Sequence, residues 1–344
     1  MFDRLPEVID YLVSGSKLNF VDSLTLMEKI MEGKLTSSQI SAILCALRMR
    51  GEDSEEIAGF ASAMRERAIH FDLPPEMMVA DNCGTGGDGK RTFNFSTASA
   101  LIALAAGLKM VKHGNRSISS RCGSADFLEA MGIPVKIGPD KMKSLFDQTG
   151  FAFLFAPLYH PATGIVQPIR KELGIRTIFN LLGPLTNPAP VRYQLVGVYS
   201  KELLQPVAQA LLRIGVQRAA VVWGEPGIDE ISIVGESFLF LVEGNNISSR
   251  QIHPEEFGYP PGPLASIQGG EPKENVEIFW SILKNETKGP LRAALVLNTA
   301  FLLWVSEQSD SLSQAIEQTE ELLTSGQALK KVQQLVRTSQ QMVE

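Results

Sequence analysis

Cysteine and histidine are scarce in this sequence, and their placement excludes the common metal centres. Among 344 residues there are three cysteines and four histidines. Cys45, Cys83 and Cys122 are far apart and form no CxxC pair, and no HExxH motif occurs. This spacing matches no common zinc site, and an odd number of separated cysteines is a poor disulfide framework.

A basic excess and long apolar runs are also absent. The formal net charge at pH 7 is −6, so the chain offers no broad positive field that would gather a nucleic acid. No uninterrupted apolar run reaches the length of about 18 residues that a membrane span requires. The N-terminal stretch MFDRLPEVIDYLVSG is mixed and acidic and does not resemble a signal peptide. We therefore expect a soluble cytoplasmic protein without a nucleic-acid or membrane partner.

The first part of the chain has the pattern of a helical bundle. In LTSSQISAILCALRMRG the apolar residues recur at helical spacing, and Thr36 and Gln39 have the spacing of a capping box. EDSEEIAGFASAMRERA repeats this design with Asp53 and Glu56, and DSLTLMEKIMEGK is a third helix of the same kind. These short, adjacent helices predict a small all-helical domain over residues 1–71.

Beyond this bundle, short apolar runs alternate with helical patterns. The runs are MVADNCG, LKMVKHGN, PVKIG, FAFLFAP, YQLVGVYS, RAAVVWGE and ISIVG, and helical stretches lie between most of them. The alternation predicts an α/β fold with a mostly parallel central sheet flanked by helices. We assign residues 72–164 and 187–344 to this larger domain. Residues 165–186 read as helices and turns, and we expect them to pack onto the helical domain.

The stretch CGTGGDGKRT, residues 83–92, has the composition of a phosphate-binding loop but fits two known motifs only in part. It satisfies G-x-G-x-x-G after a strand. However, the chain continues through KRTFNF before a helix starts, and the next strand ends in Lys112 and His113 where a dinucleotide-binding Rossmann unit has an acid. It also satisfies G-x-x-x-x-G-K, but Arg91 stands where a Walker A loop has the Ser or Thr that binds Mg²⁺. Both the dinucleotide-binding and the ATPase interpretations are therefore poor.

The glycine loop nevertheless has the features of an anion-binding site. Glycines allow backbone N–H groups to converge on anionic oxygens, and a helix that begins at Ser96 or Thr97 would add its N-terminal dipole. Lys112 would add a positive charge at the end of the next strand, on the sheet edge where open α/β folds bind ligands. Asp229 and Glu230 follow the strand RAAVVWGE and offer hard oxygens suited to Mg²⁺, although adjacent acids are also common in solvated turns.

Longer stretches carry a family resemblance. DNCGTGGDGKRTFNFSTASA, VKHGNRSISSRCGSADFLEAMG and GIRTIFNLLGPLTNPA closely resemble the anthranilate phosphoribosyltransferase family, and GEPGIDEIS lies where that family has an Asp-Glu pair. The resemblance extends over nearly the whole chain. It implies a helical domain joined to an α/β domain with the active site at the hinge, a homodimer through the helical domain, and Mg²⁺ as cofactor. The implied reaction transfers the phosphoribosyl group of phosphoribosyl pyrophosphate to the amine of anthranilate, in tryptophan biosynthesis.

The resemblance also implies which residues bind each ligand. The positions that match the donor site are Gly84, Thr85, Gly86, Gly87, Asp88, Asn94, Ser96, Thr97 and Lys112, and the polar loop NRSISSR adds Ser119 and Arg121 as candidates for the phosphate groups. The positions that match the anthranilate site are Gly84, His113, Asn115, His160, Arg170 and Gly183, and those that match the metal site are Ser96, Asp229 and Glu230. The planar guanidinium of Arg170 suits a carboxylate. No residue is assigned as an essential acid or base. His113, whose charged form Lys112 should disfavour, is a candidate to accept the proton of the arylamine.

Two alternative functions stay open. Trp223-Gly224 stands where the family usually has His-Gly, and Thr163-Gly164 where a bulkier pair is common. Both departures concern the acceptor, so a phosphoribosyltransferase of the same fold with a different aromatic acceptor is one alternative. A pyrimidine nucleoside phosphorylase would need a KHSTGG loop, whereas this chain has KHGNRS. A non-catalytic nucleic-acid-binding paralogue is the other alternative, and the acidic net charge disfavours it.

Overall fold

The computed structural model describes residues 5–117 and 121–342, and its N-terminal part is helical. The helices are α1 (Leu5–Val13), α2 (Phe20–Met31), α3 (Ser37–Arg50) and α4 (Ser54–Glu66). Helix α1 packs against α3, and α2 packs against α4. The three helices predicted from the sequence are confirmed, and α1 adds a further one.

Side-chain caps define where α3 and α4 begin. The hydroxyl of Thr36 accepts a hydrogen bond from the backbone N–H of Gln39 at 3.3 Å, and the Gln39 side chain accepts one from the Thr36 N–H at 2.9 Å. Asp53 and Glu56 form the equivalent pair on α4. Glu56 is buried and also accepts a hydrogen bond from Arg50 at 2.6 Å. Both predicted capping boxes are therefore confirmed, and the Arg50–Glu56 pair joins the end of α3 to the start of α4.

A seven-stranded sheet forms the centre of the larger domain. Its strands are β1 (Ala80–Gly84), β2 (Met110–Gly114), β3 (Phe151–Phe155), β4 (Tyr193–Gly197), β5 (Arg218–Gly224), β6 (Ser237–Glu243) and β7 (Asn246–Ile252), in the spatial order β3-β2-β1-β4-β5-β6-β7. The pairs from β3 to β5 are parallel, and β6 and β7 are antiparallel. The predicted mostly parallel sheet is confirmed. Strand β1 pairs with both β2 and β4, so the strand order reverses there, as it does at the ligand site of open α/β sheets.

Helices cover both faces of this sheet. The helices that follow α4 in the chain are α5 (Phe95–Ala103), α6 (Ser124–Ala130), α7 (Pro139–Thr149), α8 (Ala156–Tyr159), α9 (Gln167–Leu173), α10 (Ile178–Leu182), α11 (Leu204–Arg213), α12 (Pro272–Leu283), α13 (Pro290–Val305), α14 (Leu312–Thr324) and α15 (Gln327–Gln341). Of these, α9 and α10 pack against the helical domain. On β5, Ala220 and Val222 belong to the same core as α13, whereas the alternating Ala219 and Val221 belong to the core of α11. Because successive side chains of a strand point to opposite faces, α13 and α11 lie on opposite sides of the sheet. No helix in the described ranges is long and apolar enough to cross a membrane.

The chain leaves the sheet between β3 and β4 and packs against the helical domain. Helix α9 contacts α3, and α10 contacts α4. Val166, Ile169, Ile178 and Leu182 are buried in the same core cluster as the apolar residues of α2, α3 and α4. Residues 165–186 therefore connect the two parts of the molecule.

The predicted strand PVKIG is wrong, since residues 134–138 form an extended connection between α6 and α7. Val135 and Ile137 are buried, and Lys136 between them is exposed. This alternation is typical of a strand, but no strand in the described part of the chain pairs with it. The pattern reflects an extended segment that packs two side chains into the core without joining a ladder.

The predicted strand ISIVG, residues 231–235, is also wrong. The backbone N–H and C=O of Ile231 both bond to the side chain of Asn298, at 2.9 Å each, and the N–H of Ser232 donates to the hydroxyl of Ser237 at 2.8 Å. Side chains thus replace the ladder hydrogen bonds that a strand would make. The next residues form the hairpin of β6 and β7, which the sequence analysis did not identify; its turn contains Gly244 at φ 57°.

Candidate active site

A cavity of about 390 Å³ lies beyond the carboxyl ends of β1 and β2, beside the turn that follows β5. The predicted residues on its wall are Gly84, Thr85, Gly86, Gly87, Asp88, Asn94, Ser96, Lys112, His113, Asn115, Arg121, His160, Arg170, Gly183, Asp229 and Glu230. These positions are spread over almost 150 residues of sequence. The fold therefore brings the glycine loop, the two histidines, Arg170 and the acidic pair around one space.

Two glycines allow the acidic turn to reach the glycine loop. A Cβ on Gly84 would lie 2.1 Å from Asp229 Oδ2, and a Cβ on Gly197 would lie 1.7 Å from the Asp229 backbone oxygen. Gly84 and Gly197 are register partners on β1 and β4. Asp229 therefore lies across the ends of both strands, in space that any side chain would fill. From there its carboxylate accepts a hydrogen bond from the backbone N–H of Gly86 at 2.8 Å.

The glycine loop has a left-handed backbone at three positions. Gly86, Gly87 and Gly89 have φ angles of 63°, 76° and 73°, a region that other residues rarely adopt. The N–H of Thr85 donates to the Gly197 oxygen at 2.9 Å, which fixes the start of the loop to β4. A loop with this backbone can present N–H groups to an anion, as the sequence analysis inferred.

Three carboxyl groups at this end of the cavity hold their protons more tightly than usual. Burial, together with the charge of Asp88, raises the pKa of Asp229 to about 6. Burial and the neighbouring Asp229 raise the pKa of Glu230 well above its ordinary value, and burial also raises the pKa of Asp88. Because burial and a neighbouring carboxylate disfavour the ionised forms of Asp229 and Glu230, a bound cation would stabilise those forms.

Lys112 is buried at the end of β2 and is held in place by its neighbours. Its Nζ donates to the backbone oxygen of Asn82 and lies 3.4 Å from the hydroxyl of Ser96. The Asn82 amide in turn donates to the Ser96 backbone oxygen at 2.7 Å. This network fixes one positive charge beside Ser96, and the backbone N–H of Ser96 opposes the rise in the pKa of Glu230 that burial causes.

The helix at the site begins earlier than predicted. Its N-cap is Asn94, whose side-chain oxygen accepts a hydrogen bond from the N–H of Thr97 at 3.2 Å. The expectation that Ser96 or Thr97 starts this helix is wrong, because Asn is as strong a cap as Ser. Thr97 is fully buried and does not line the cavity. Ser119 lies outside the described residues.

Two buried histidines lie together in the wall of the cavity. The ring centroids of His113 and His160 are 5.0 Å apart. Nδ1 of His113 lies 3.1 Å from the Gly183 oxygen, and Nε2 of His160 lies 2.8 Å from the Thr186 oxygen. Because a carbonyl oxygen only accepts, these two ring nitrogens carry the hydrogens. His113 is left with an unprotonated Nε2, which has no hydrogen-bond partner among the described residues.

Both histidines are neutral at physiological pH. Burial, with a contribution from His160, lowers the pKa of His113 to about 3, and burial lowers the pKa of His160 to about 4. The predicted lowering of the His113 pKa is confirmed. Its main cause is burial, however, and the charge of Lys112, which the prediction relied on, contributes less. Neutral imidazoles at this position act as hydrogen-bonding groups rather than as cations.

Arg170 supplies a cation in the wall of the same cavity. Its guanidinium carbon lies 5.4 Å from the ring centroid of Phe179, which also lines the cavity. Burial lowers the pKa of Arg170 somewhat. Among the described residues Arg170 forms no ion pair, in contrast to Arg116, which bonds to Asp126 at 3.0 Å. Its planar fork of donors is therefore available to a carboxylate.

The site residues fit the Mg²⁺ that the family resemblance implies. Asp229, Glu230 and Ser96 offer hard oxygen donors beside the glycine loop, and burial disfavours ionisation of the two acids, a cost that a cation would offset. Within residues 5–117 and 121–342, no three His, Cys, Asp or Glu side chains converge closely enough to hold a metal by themselves. Mg²⁺ is usually bound by one or two carboxylates together with substrate phosphates, so this donor set suits an ion that arrives with a phosphorylated ligand.

Comparison with known proteins places the chain in a family. Residues 76–329 match the glycosyl transferase family a/b domain, and residues 6–68 match its helical bundle domain. The anthranilate phosphoribosyltransferase of Thermoanaerobacter sp. (strain X514) is 46% identical over 332 residues, which cover 96% of this chain and 98% of that protein. The chain belongs to the anthranilate phosphoribosyltransferase family.

Solved structures of the anthranilate phosphoribosyltransferase family have the same fold. The structure from Thermus thermophilus has a TM-score of 0.89 at 40% identity, over 96% of this chain and 98% of that one. The Saccharomyces cerevisiae enzyme in complex with PRPP and Mg has a TM-score of 0.88 at 30% identity, over 98% of both chains. The resemblance drawn from the sequence is confirmed, and so is the predicted pairing of a helical domain with an α/β domain.

Some residues of this anthranilate phosphoribosyltransferase site were not identified from the sequence. Met64, Phe179 and Asn180 line the cavity, and Gly269 and Gly270 close it on the side of the glycine loop. The backbone N–H of Gly269 donates a hydrogen bond to the Arg91 oxygen at 3.0 Å, which holds Gly269 beside the glycine loop. The only signal for such residues was their place in or near family motifs, since apolar and glycine positions carry no chemistry of their own and Asn180 reads as a helix-capping residue, its side chain accepting a hydrogen bond from the Thr177 N–H at 3.0 Å.

The two departures from the anthranilate phosphoribosyltransferase pattern lie in different places. Thr163 lines the cavity, and its hydroxyl donates to the His160 oxygen at 2.7 Å. Trp223 is not part of the wall; its ring centroid lies 5.9 Å from that of Phe238, beside Lys201. Of the two departures, only Thr163 can contact a ligand in this cavity.

Proposed function

We propose that this chain transfers the 5-phosphoribosyl group of phosphoribosyl pyrophosphate to the amine of anthranilate, releases pyrophosphate, and requires Mg²⁺. The observation that carries the proposal is a single cavity lined by two unlike sets of groups. One set is a glycine loop, Lys112 and an acidic pair, and the other is Arg170 and two neutral histidines. This polarity suits a donor with several phosphates and an acceptor with one carboxylate.

The donor is bound by the glycine loop and the groups around it. The left-handed glycines leave backbone N–H groups for the pyrophosphate, and α5 begins beside them with the favourable end of its dipole. Lys112 supplies a fixed charge next to Ser96. Arg121, whose Nε is 4.0 Å from its nearest carboxylate, extends the positive wall toward the phosphates. These groups would hold the leaving group in place before the reaction.

Asp229, Glu230 and Ser96 are the residues that would hold Mg²⁺. A bound Mg²⁺ neutralises charge on pyrophosphate and makes it a better leaving group. The Gly86 N–H donates to Asp229 and orients its carboxylate, and the Ser96 N–H favours the ionised form of Glu230, so the backbone that would meet the donor also acts on both acids. The raised pKa values of these acids fall back toward their ordinary values when a cation is near.

The acceptor is bound by Arg170 and His113. The Arg170 guanidinium, stacked against Phe179, pairs with the carboxylate of anthranilate through two parallel hydrogen bonds. Nε2 of His113 accepts a hydrogen bond from the amine, because its Nδ1 hydrogen is committed to the Gly183 oxygen. Asn115, His160 and Gly183 complete this part of the wall.

In the reaction, the amine nitrogen forms a bond to C1 of the ribose as the bond from C1 to the pyrophosphate oxygen breaks. The electron pair of the broken bond leaves with pyrophosphate, and the amine then loses one proton to water or to the departing pyrophosphate. An arylamine is uncharged at neutral pH, so no base is needed before the attack. With a pKa of about 3, His113 is a weak base and serves to orient the amine.

Enlarging Gly84 should damage the donor end specifically. In Gly84→Ala the new methyl group would meet Asp229 Oδ2 at 2.1 Å and displace the acidic turn. We expect kcat/KM for phosphoribosyl pyrophosphate to fall by about 100-fold, the cost of a displacement near 1 Å at a reacting centre. Steady-state kinetics with Gly164→Ala as the control would test this, since a Cβ at Gly164 meets no atom within 4 Å. Equal kinetics in the two variants would show that Asp229 does not need its observed position.

We also propose that the chain acts as a cytoplasmic homodimer through its helical domain. The support is a set of exposed apolar residues on α1, α2 and α3, namely Val13, Val21 and Met49, with exposures of 68%, 66% and 88%. The three cysteines are free thiols, as suits a reducing compartment. In the domain division we propose, residues 1–71 and 165–186 form one unit, and residues 72–164 and 187–344 form the other.

The test mixes the purified protein with phosphoribosyl pyrophosphate, Mg²⁺ and anthranilate and follows anthranilate fluorescence. We expect the fluorescence to fall only when all three are present. A protein that binds the donor by calorimetry but leaves anthranilate unchanged would instead support a different aromatic acceptor, and Thr163 would be the first residue to examine. Binding of nucleic acid without any donor binding would support the non-catalytic alternative.

A further inference from the structure

Arg176 joins the acceptor side of the cavity to the glycine loop. It lies between α9, which carries Arg170, and α10, which carries Phe179. Its Nη2 donates a hydrogen bond to the backbone oxygen of Gly87. Arg176 does not itself line the cavity.

The contact depends on the shape of Gly87. This residue has φ 76°, and a Cβ built on it would lie 3.3 Å from Arg176 Nε and 3.8 Å from Cζ. The guanidinium therefore lies directly against the loop backbone, where a side chain would press on it. Glycine at this position permits both the left-handed turn and the close approach of the cation.

Tyr199 holds the guanidinium from the other side. The guanidinium carbon of Arg176 lies 4.3 Å from the Tyr199 ring centroid, within the range of a cation–π contact. The backbone N–H of Tyr199 also donates to the hydroxyl of Thr85 at 3.1 Å. Tyr199 is thus attached to the start of the glycine loop, and Arg176 is attached to its middle.

The guanidinium of Arg176 thus donates a hydrogen bond to Gly87 and stacks on the ring of Tyr199. An arginine is suited to this position because its charge is permanent and its planar group can stack and donate at the same time.

We propose that Arg176 is a positioning residue for the donor: clamped between Tyr199 and Gly87, it fixes the glycine loop to the segment that carries the acceptor residues. The inference rests on the proposed function. It adds that the donor loop is held from the acceptor side of the cavity by a residue that touches neither substrate.

Calorimetric titration of phosphoribosyl pyrophosphate with Mg²⁺ tests this without any acceptor. We expect Arg176→Ala to raise the donor Kd by about tenfold, and Arg176→Lys to recover only part of the loss, because a lysine keeps the charge but cannot stack and donate as a plane. Lys171→Ala is the matched control, since it removes one exposed positive charge from the same segment. Its Kd should equal that of the wild type. In steady-state assays of Arg176→Ala, the KM of the donor should rise while the KM of anthranilate at saturating donor stays within about twofold.

A merely structural role would lower the melting temperature and leave the donor Kd unchanged. Donor binding by Arg176→Ala that equals the wild type, or an equal loss in Lys171→Ala, would overturn the inference and leave the proposed function intact. A wild-type protein that fails to bind phosphoribosyl pyrophosphate would overturn both.

A double variant tests the clamp itself. Tyr199→Leu removes the ring that supports the guanidinium and should raise the donor Kd in the same direction. If both residues act through one contact, Arg176→Ala combined with Tyr199→Leu should bind the donor within about twofold of Arg176→Ala alone. Losses that multiply would show that Arg176 does not work through Tyr199 and would overturn this inference.

Discussion

Replacing Asp229 by Asn and Glu230 by Gln should lower kcat/KM for phosphoribosyl pyrophosphate by roughly 1,000-fold, the scale of removing charge that stabilises a transition state. The amides keep the shape of both side chains but remove the two negative charges that would hold Mg²⁺. Asp229 would also lose its charge-assisted hydrogen bond from the Gly86 N–H, which measures 2.8 Å. When initial rates are measured against Mg²⁺ concentration, the double variant should need more Mg²⁺ than the wild type and should reach a much lower maximal rate.

Glu236→Gln is the control for this double variant. Glu236 follows the acidic pair closely in the sequence but does not line the cavity. Its rates and its Mg²⁺ dependence should match the wild type. A double variant that retained kcat/KM within about tenfold of the wild type would show that the acidic pair does not serve a metal.

Arg170→Ala should lower kcat/KM for anthranilate by about 100-fold, or roughly 3 kcal/mol at 1.4 kcal/mol per tenfold. The loss reflects a carboxylate left without its partner in a buried site. The donor Kd should stay within about twofold, because Arg170 lies on α9 and not at the glycine loop. Calorimetry for the donor and fluorescence kinetics for the acceptor would measure the two effects separately.

A second acceptor makes this test sharper. Aniline has the amine of anthranilate but no carboxylate, so the wild type should strongly prefer anthranilate. In Arg170→Ala that preference should collapse, whereas Lys171→Ala should keep it. Equal losses of donor and acceptor binding in Arg170→Ala would contradict the division of the cavity into two ends.

Local sequence signals predicted much of the fold because they act over few residues. The capping boxes at Thr36 and Asp53 are complete within one turn of helix, so no distant contact can hide them. The parallel strands contain apolar runs that alternate with helices, and the run is unbroken in the buried Phe151–Phe155. The strand predictions at 134–138 and 231–235 are wrong because strand pairing is not a local property. Whether an extended segment pairs depends on a neighbour elsewhere in the chain, and at Ile231 that neighbour is the side chain of Asn298.

Site residues could be predicted where the residue type suits a ligand and lies in a family motif. They could not be predicted where their role depends on how deeply the fold buries them. The glycine loop, Arg170 and the acidic pair are recognisable as residue types that bind anions, carboxylates and cations. The burial of Thr97, the low pKa of His113 and the clamp at Arg176 follow from packing between distant segments. No window of sequence contains both Arg176 and Gly87, so their contact appears only in three dimensions.

The pairing of β1 with β4 has a consequence for the order in which a ribosome can complete this enzyme. Strand β1 and the glycine loop are synthesised first, but their neighbour β4 emerges only after about a hundred further residues, and Asp229 only after β5. The loop that would hold the donor is anchored to Gly197 and covered by Asp229. A nascent chain that ends before residue 197 therefore leaves the edge of β1 without its β4 neighbour. Such a chain is open to mispairing and to chaperones, and the donor site is among the last parts of the molecule to take shape.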